Sequence, residues 1–355
     1  MTAGSALIDR RYSSQENRYV LMLRLPKFRY FQPETLSEAV EMMADGGPDA
    51  MFVAGGTDLY PNMKRRQQMP KIVIGLAQLQ ELRTIKGKPK EEVVLGAGLT
   101  LSEVFDDSRI QHAYPAVAKA TGLISTPLLR NMGSIGGNLL LDTRCNYYDQ
   151  NYEWRKAIHF CMKKDGEICW VAPSSPRCWA VQSSDCAPVM VAIGAKVKLV
   201  SSSGERMISA ADLYNDDGIR HLNKRPDELL TEIHLPPTNG WRATYWKLRR
   251  RGSFDFPVLG VATCLRLADD GTVEDAKIIL GGVGSHPIES AASEKVLVGK
   301  KLTEETIREA AEAAYRPAKP LDNTDFAMSW RKDMARYYVA GTLRELGGLP
   351  PSSPR

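Results

Sequence analysis

Six cysteines and two glycine-rich turns are the features of this sequence best suited to chemistry. Cys145, Cys161, Cys169, Cys178 and Cys186 crowd into 42 positions, and Cys264 stands alone. The first four are spaced Cys145-x15-Cys161-x7-Cys169-x8-Cys178. Zinc sites usually include one pair of ligands separated by about two to four residues, and none occurs here. Two disulfides fit the count but not a reducing compartment. Four soft thiolates on one segment also suit a [4Fe–4S] cluster, although the gaps exceed those of ferredoxin runs. Spacing by itself leaves these readings open.

The glycine turns point to an anion. Gly55-Gly56-Thr57-Asp58 follows the strand-like run 51–54 and precedes a helix-like one. Glycines in such a turn let backbone N–H groups approach a phosphate closely. Gly133-Ser134-Ile135-Gly136-Gly137-Asn138 is a second turn of this kind. Its spacing is not G-x-G-x-x-G, and no acidic residue follows at about 20 residues in a βαβ setting, which disfavours a Rossmann site. His112, His159, His221, His234 and His286 occupy no nucleophile or metal spacing. None of these histidines is nominated as a catalytic acid, base or nucleophile.

The elements that must hold these turns are short strands and helices. Capping boxes at Thr35 and Thr100 open helices, the first with Leu36, Ala39, Val40 and Met43 on one face. Residues 51–54, 71–74 and 93–95 read as strands, giving an α+β texture over 25–125. An apolar segment at 189–193 and a strand at 195–201 follow the cysteine-rich stretch. Pro236-Pro237 and Asn239-Gly240 mark a domain boundary. Beyond it, 244–248, 258–267 and 273–281 read as strands, the last two joined by a turn at Asp269-Asp270-Gly271. Helices over 303–315 and about 325–346 close the chain.

Composition bounds the function. At about 150 residues per domain, 355 residues make two domains or slightly more, and 43% hydrophobic residues supply ample core. Of the net charge of +5, +4 lies in residues 1–30, so the body presents no basic face for nucleic acid. Apolar runs are far too short to span a membrane. Arg10-Arg11 lacks the apolar stretch of an export signal, so a cytoplasmic location is expected. Residues 1–24 read as a polar arm.

Taken together, the motifs carry a resemblance. Phe52-Val53-Ala54-Gly55-Gly56-Thr57-Asp58-Leu59, followed about 80 residues later by Pro127-Leu128-Leu129-Arg130-Asn131-Met132-Gly133-Ser134-Ile135-Gly136-Gly137-Asn138, resembles the FAD-binding subunits of molybdenum hydroxylases. Ser184-Asp185, Ala187-Pro188 and Tyr245-Trp246-Lys247 extend the match. The resemblance implies an α+β fold: a two-part FAD-binding domain over 25–238, then a C-terminal α+β domain over 239–355 of the CO dehydrogenase flavoprotein type. It implies that residues 52–59 and 134–138 cradle FAD through backbone donors. Asp185 would bond cofactor hydroxyls, and Lys247 would lie near the flavin ring. Ile124 stands where the family often stacks an aromatic on the ring, and Leu230 matches a flavin-contacting position.

The segment between Asn138 and Asp185 is longer than in most relatives. Such an insertion, here about 143–182, distinguishes the 4-hydroxybenzoyl-CoA reductase branch, where it carries a [4Fe–4S] cluster. The resemblance implies Cys145, Cys161, Cys169 and Cys178 as the ligands, with Cys186 and Cys264 ordinary buried residues. Trp154, Trp170, Trp179 and Phe160 would pack the loop and limit solvent. The same resemblance implies a large molybdenum-cofactor subunit and a small [2Fe–2S] subunit as partners, in a dimer of heterotrimers. Reduced ferredoxin would be the donor for reductive dehydroxylation to benzoyl-CoA. The rival within the family is an aldehyde oxidoreductase or hydroxylase with outward electron flow. A self-contained flavin oxidase and a metal-stabilised scaffold without redox function are the rivals outside it.

Overall fold

The computed structural model describes residues 23–350. Apart from Leu23 and Arg24, the expected polar arm lies outside the described residues.

Three sheets organise the chain. The Thr35 hydroxyl accepts from the N–H of Glu38 and caps the helix Leu36–Gly46, which buries Ala39, Val40 and Met43. That helix packs on a parallel three-stranded sheet ordered Arg29–Phe31, Ile72–Gly75, Ala50–Val53. The last strand feeds Gly55 and Gly56, and the helix Leu59–Lys64 follows. A second, antiparallel sheet runs in the order Ile85–Lys88, Glu92–Gly96, Leu229–Leu235, Lys196–Ser201, Gly204–Ser209. The helix Leu101–Asp106 begins at a reciprocal Thr100–Glu103 capping box, as its sequence requires. It shares one core with the helices Pro115–Leu123 and Cys186–Ala192.

The third sheet is antiparallel, ordered Ile288–Glu289, Val273–Gly281, Leu259–Leu267, Trp241–Leu248. Alternation along its strands sends residues to two cores. Tyr245, Ala262, Cys264 and Ile279 join the core of the second sheet. Val261, Leu265, Ile278 and Leu280 face the helices Glu304–Ala314 and Met328–Gly347. A sheet buried on both faces explains the near-continuous apolar run in Leu259–Leu267. Among the described residues, no helix is long and apolar enough to cross a membrane.

The insertion is pinched at its neck. Arg144 and Val181 exchange backbone hydrogen bonds of 2.8 Å in both directions. Its only helix with α geometry, Tyr152–Ala157, is capped by the Asn151 side chain at 2.8 Å from the N–H of Trp154. Both domains grip the loop. Gln67 donates to the Tyr148 carbonyl at 2.6 Å, and the Asn323 side chain donates to the Trp179 carbonyl at 2.6 Å.

Candidate functional site

The two glycine turns meet. A Cβ on Gly55 would fall deep inside the Met132 carbonyl, so only glycine lets these backbones touch. Gly56 has φ +69°, and a Cβ there would collide with the Tyr60 ring. Among the described residues, nothing accepts from the N–H groups of Gly55, Gly56, Thr57 or Asp58. Four unpaired donors in one turn are the donor set a pyrophosphate requires.

The second turn behaves differently. The N–H groups of Ile135 and Gly136 donate to the carbonyls of Leu99 and Ala97 at 2.9 Å, and that of Asn138 to Ser134. Gly137 donates to the Ser134 hydroxyl at 3.1 Å. These donors serve the fold, so the free donors come from the first turn. Gly136 is small for packing: a Cβ would lie 2.7 Å from that of Ala97. Asn138 ties the turn to the next helix, accepting from the Ser184 hydroxyl at 2.7 Å and the Cys186 N–H at 3.3 Å.

Phe52, Ala54 and Leu59 are half-buried beside Val53, which is buried. Leu230 is buried in its strand next to Ala97, whose N–H donates to Thr231 at 2.9 Å. Ile124 is half-buried at the end of Pro115–Leu123, and its carbonyl accepts from Arg130 at 2.8 Å.

Asp185 and Lys247 are not solvated surface charges. Their side chains are 3% and 1% exposed and meet at 2.8 Å. The Tyr245 hydroxyl donates to the other carboxylate oxygen at 2.8 Å. Lys247 also donates to the Leu123 carbonyl at 3.1 Å. Burial pushes the Asp185 carboxyl above its usual range, against the opposing pull of Lys247 and Tyr245. The pair joins the helix Cys186–Ala192 to the third sheet. Tyr245 and Lys247 share one strand face at i, i+2, a spacing that could have signalled a common partner.

Cys145, Cys161, Cys169 and Cys178 line one small cavity with Tyr148, Lys163 and Trp170. Cys186 and Cys264 lie in the main core instead. The Ala180 N–H donates to the Cys178 sulfur at 3.4 Å, a contact that favours the thiolate. Burial pushes Cys145 up to about 12 and raises Cys161. The hydrogen bond from Cys178 brings Cys169 down to about 6 and drives Cys178 upward.

Four buried cysteines facing one cavity are soft donors of the kind an iron–sulfur cluster takes. Among the described residues, no three His, Cys, Asp or Glu side chains are placed to hold a metal ion. Trp170 lines the cavity and donates to the Phe160 carbonyl at 2.5 Å. Trp179 is half-buried and donates to Ser175 at 2.7 Å. Trp154 departs from its expected packing role: it is 39% exposed, because the helix Tyr152–Ala157 turns Arg155 inward and Trp154 outward.

The cradle and the cysteine loop are wired together by a residue the sequence reading missed. Arg144, adjacent to Cys145, forms an ion pair with Asp58 of the first glycine turn. Its guanidinium also lies 4.5 Å from the Phe256 ring centroid. Lys163 is fixed by Asp142 at 2.8 Å, Thr143 at 2.7 Å and the Gly218 carbonyl at 2.6 Å. A basic residue within three positions of a cysteine (Arg144, Lys163, Lys164, Arg177) was the available signal.

Comparison with known proteins matches residues 26–238 to the FAD binding domain in molybdopterin dehydrogenase. Residues 243–346 match the CO dehydrogenase flavoprotein C-terminal domain. The chain is similar to the aldehyde oxidoreductase FAD-binding subunit PaoB of Escherichia coli strain K12, 31% identical over 73% of this chain and 82% of that one. It is 25% identical to the glyceraldehyde dehydrogenase medium chain of Sulfolobus acidocaldarius, over 90% of this chain and 99% of that one. Among solved structures, reconstituted CO dehydrogenase from Oligotropha carboxidovorans superposes with a TM-score of 0.76 at 25% identity, covering 92% of this chain and 100% of that one.

Proposed function

The chain belongs to the family of FAD-binding subunits of molybdopterin dehydrogenases, and from that membership we propose that it is the flavin and iron–sulfur electron-transfer subunit of a heterotrimeric molybdenum enzyme of the 4-hydroxybenzoyl-CoA reductase type. The observation that carries this reading is the convergence of Cys145, Cys161, Cys169 and Cys178 on one cavity.

When bound, FAD supplies exchange between one- and two-electron transfer, and a [4Fe–4S] cluster supplies one-electron exchange. The protein's own contributions are positional. The free N–H groups of residues 55–58 would hold the pyrophosphate, and the packing of Gly55 on Met132 keeps them aligned. The Asp185–Lys247 pair ties the helix Cys186–Ala192 to the third sheet. Arg144 holds Asp58 and the neck of the cysteine loop in register. The four cysteines would hold the cluster. No residue of this chain moves a proton on substrate, because substrate belongs to a large molybdenum subunit, and a small [2Fe–2S] subunit completes the assembly. A one-electron donor of the ferredoxin type fits a subunit with a one-electron centre of its own.

A second reading has a specific support. The chain is 31% identical to an aldehyde oxidoreductase subunit, which favours outward electron flow from an aldehyde. One experiment separates the two. The co-purified complex is assayed with reduced ferredoxin and 4-hydroxybenzoyl-CoA, and separately with aromatic aldehydes and oxidised ferredoxin. Benzoyl-CoA formation supports the first reading; aldehyde oxidation without it replaces the first reading with the second.

A further inference from the structure

Among the described residues, two arginines are wholly buried, and they are not alike. Arg331 donates to the carbonyls of Val258 at 3.1 Å, Leu321 at 2.9 Å and Gly282 at 2.6 Å, so each of its three nitrogens has an acceptor. Arg155 is 1% exposed and makes one hydrogen bond, from Nη2 to the Arg65 carbonyl at 2.7 Å. Its Nε and Nη1 have no acceptor, and among the described residues no carboxylate pairs with it. An arginine cannot shed its proton. Burying a charge with two idle donors is unfavourable, and a negative group close by would offset it.

The surroundings indicate which one. Arg155 sits on the inner face of the helix Tyr152–Ala157, inside the insertion, between the rings of Tyr152 and Phe160 at about 6 Å from each centroid. Phe160 immediately precedes Cys161, and the Phe160 N–H donates to the Arg155 carbonyl at 2.6 Å. The Phe160 carbonyl accepts from Trp170, which lines the cysteine cavity with Cys161, so the ring against Arg155 backs directly onto that cavity. The other buried cations there are already offset, Lys163 by Asp142 at 2.8 Å and Arg144 by Asp58. Among the described residues, Arg155 is therefore the buried cation near the cysteines without a carboxylate partner.

We infer that Arg155 is the buried counter-cation of the cysteine-bound cluster, a positioning residue that lowers the cost of gathering four thiolates and stabilises the cluster's reduced, more negative form. The inference rests on the cluster reading proposed above. A [4Fe–4S] core with four thiolates is anionic in both usual oxidation states, and a neighbouring fixed cation raises its potential. Removing that cation makes the cluster harder to reduce.

The test uses full-length protein purified anaerobically with its partners, as wild type, Arg155→Lys and Arg155→Met. Iron per chain is measured, and the cluster is titrated by electron paramagnetic resonance. Arg155→Met is expected to titrate at a lower midpoint, by at least a tenfold change in the reduced-to-oxidised ratio at fixed potential, which is about 59 mV for one electron. Arg155→Lys keeps a midpoint near wild type. Loss of iron in Arg155→Met with retention in Arg155→Lys also supports the inference, since assembly then depends on the charge. Thermal unfolding of cluster-stripped protein is the control. Arg155→Met should be no less stable than wild type there, because it removes idle buried donors. A wild-type midpoint in Arg155→Met, equal loss of iron in both variants, or destabilised stripped protein overturns the inference. Wild-type protein without iron overturns the cluster reading itself.

Discussion

Replacing Lys247 by Met tests the buried pair that locks the two domains around the second glycine turn. The substitution leaves Asp185 buried with only the Tyr245 hydroxyl at 2.8 Å as a strong donor. Removing one partner of a buried ion pair costs about 3–5 kcal/mol. The cost depends on pH, with a definite sign. Burial already raises the Asp185 carboxyl, and the two largest opposing influences are both Lys247. Without Lys247 the folded-state value rises further above the unfolded value of about 3.9. A carboxyl raised in the folded state binds its proton preferentially there, so stability is gained as pH falls through the folded value and lost as pH rises through it. The deficit is therefore full at pH 8 and shrinks toward pH 4, by at most about 1.4 kcal/mol per pH unit. Urea unfolding followed by tryptophan fluorescence at pH 8 and pH 5.5 measures it. A variant within about 1 kcal/mol of wild type at pH 8, or a deficit that grows on acidification, refutes the reasoning.

Gly55→Ala puts a methyl group into the Met132 backbone; it is expected to cost about 1–3 kcal/mol and to yield flavin-poor protein by absorbance. Gly137→Ala, which meets only the Ser134 hydroxyl at 2.9 Å, should retain more FAD than Gly55→Ala. Serine at Cys145, Cys161, Cys169 or Cys178 should lower iron per chain, whereas serine at Cys186 or Cys264, buried in the main core, should leave it unchanged. Burial and nearby Glu289 raise Glu294 to about 7. Wild type should therefore lose stability relative to Glu294→Gln as pH rises from 5 through 7, read by thermal unfolding.

Local signals carried much of this fold into the sequence. The Thr35 and Thr100 caps, the glycine turn after Ala50–Val53 and the turn near Gly271 each depend on a few adjacent residues, and each is found where its residues require it. Strands with weak alternation were missed. Gly204–Ser209 is a largely exposed edge strand, so almost nothing in its sequence marks a buried face. The helix Ser108–Ala113 was missed as well, although Asp107 caps it. Relations across long stretches of chain were invisible for a different reason. The Asp185–Lys247 pair and the Arg144–Asp58 pair depend on tertiary packing, and a charged residue in isolation reads as solvated surface. Arg155 is the extreme instance: its segment looks like an ordinary charged helix, and only the fold turns that one guanidinium inward. The cysteine quartet was legible as a cluster of residue types, while its convergence on one cavity required coordinates.

The proposed function requires one chain to carry FAD beside a cysteine-bound iron–sulfur cluster. Anaerobic purification followed by flavin, iron and acid-labile sulfide analysis of the same sample tests it. The expected result is non-covalent FAD released by heat, with about four iron and about four sulfide per FAD beyond those of the partner subunit. FAD accompanied by no iron in this chain, or by zinc in its place, contradicts the claim.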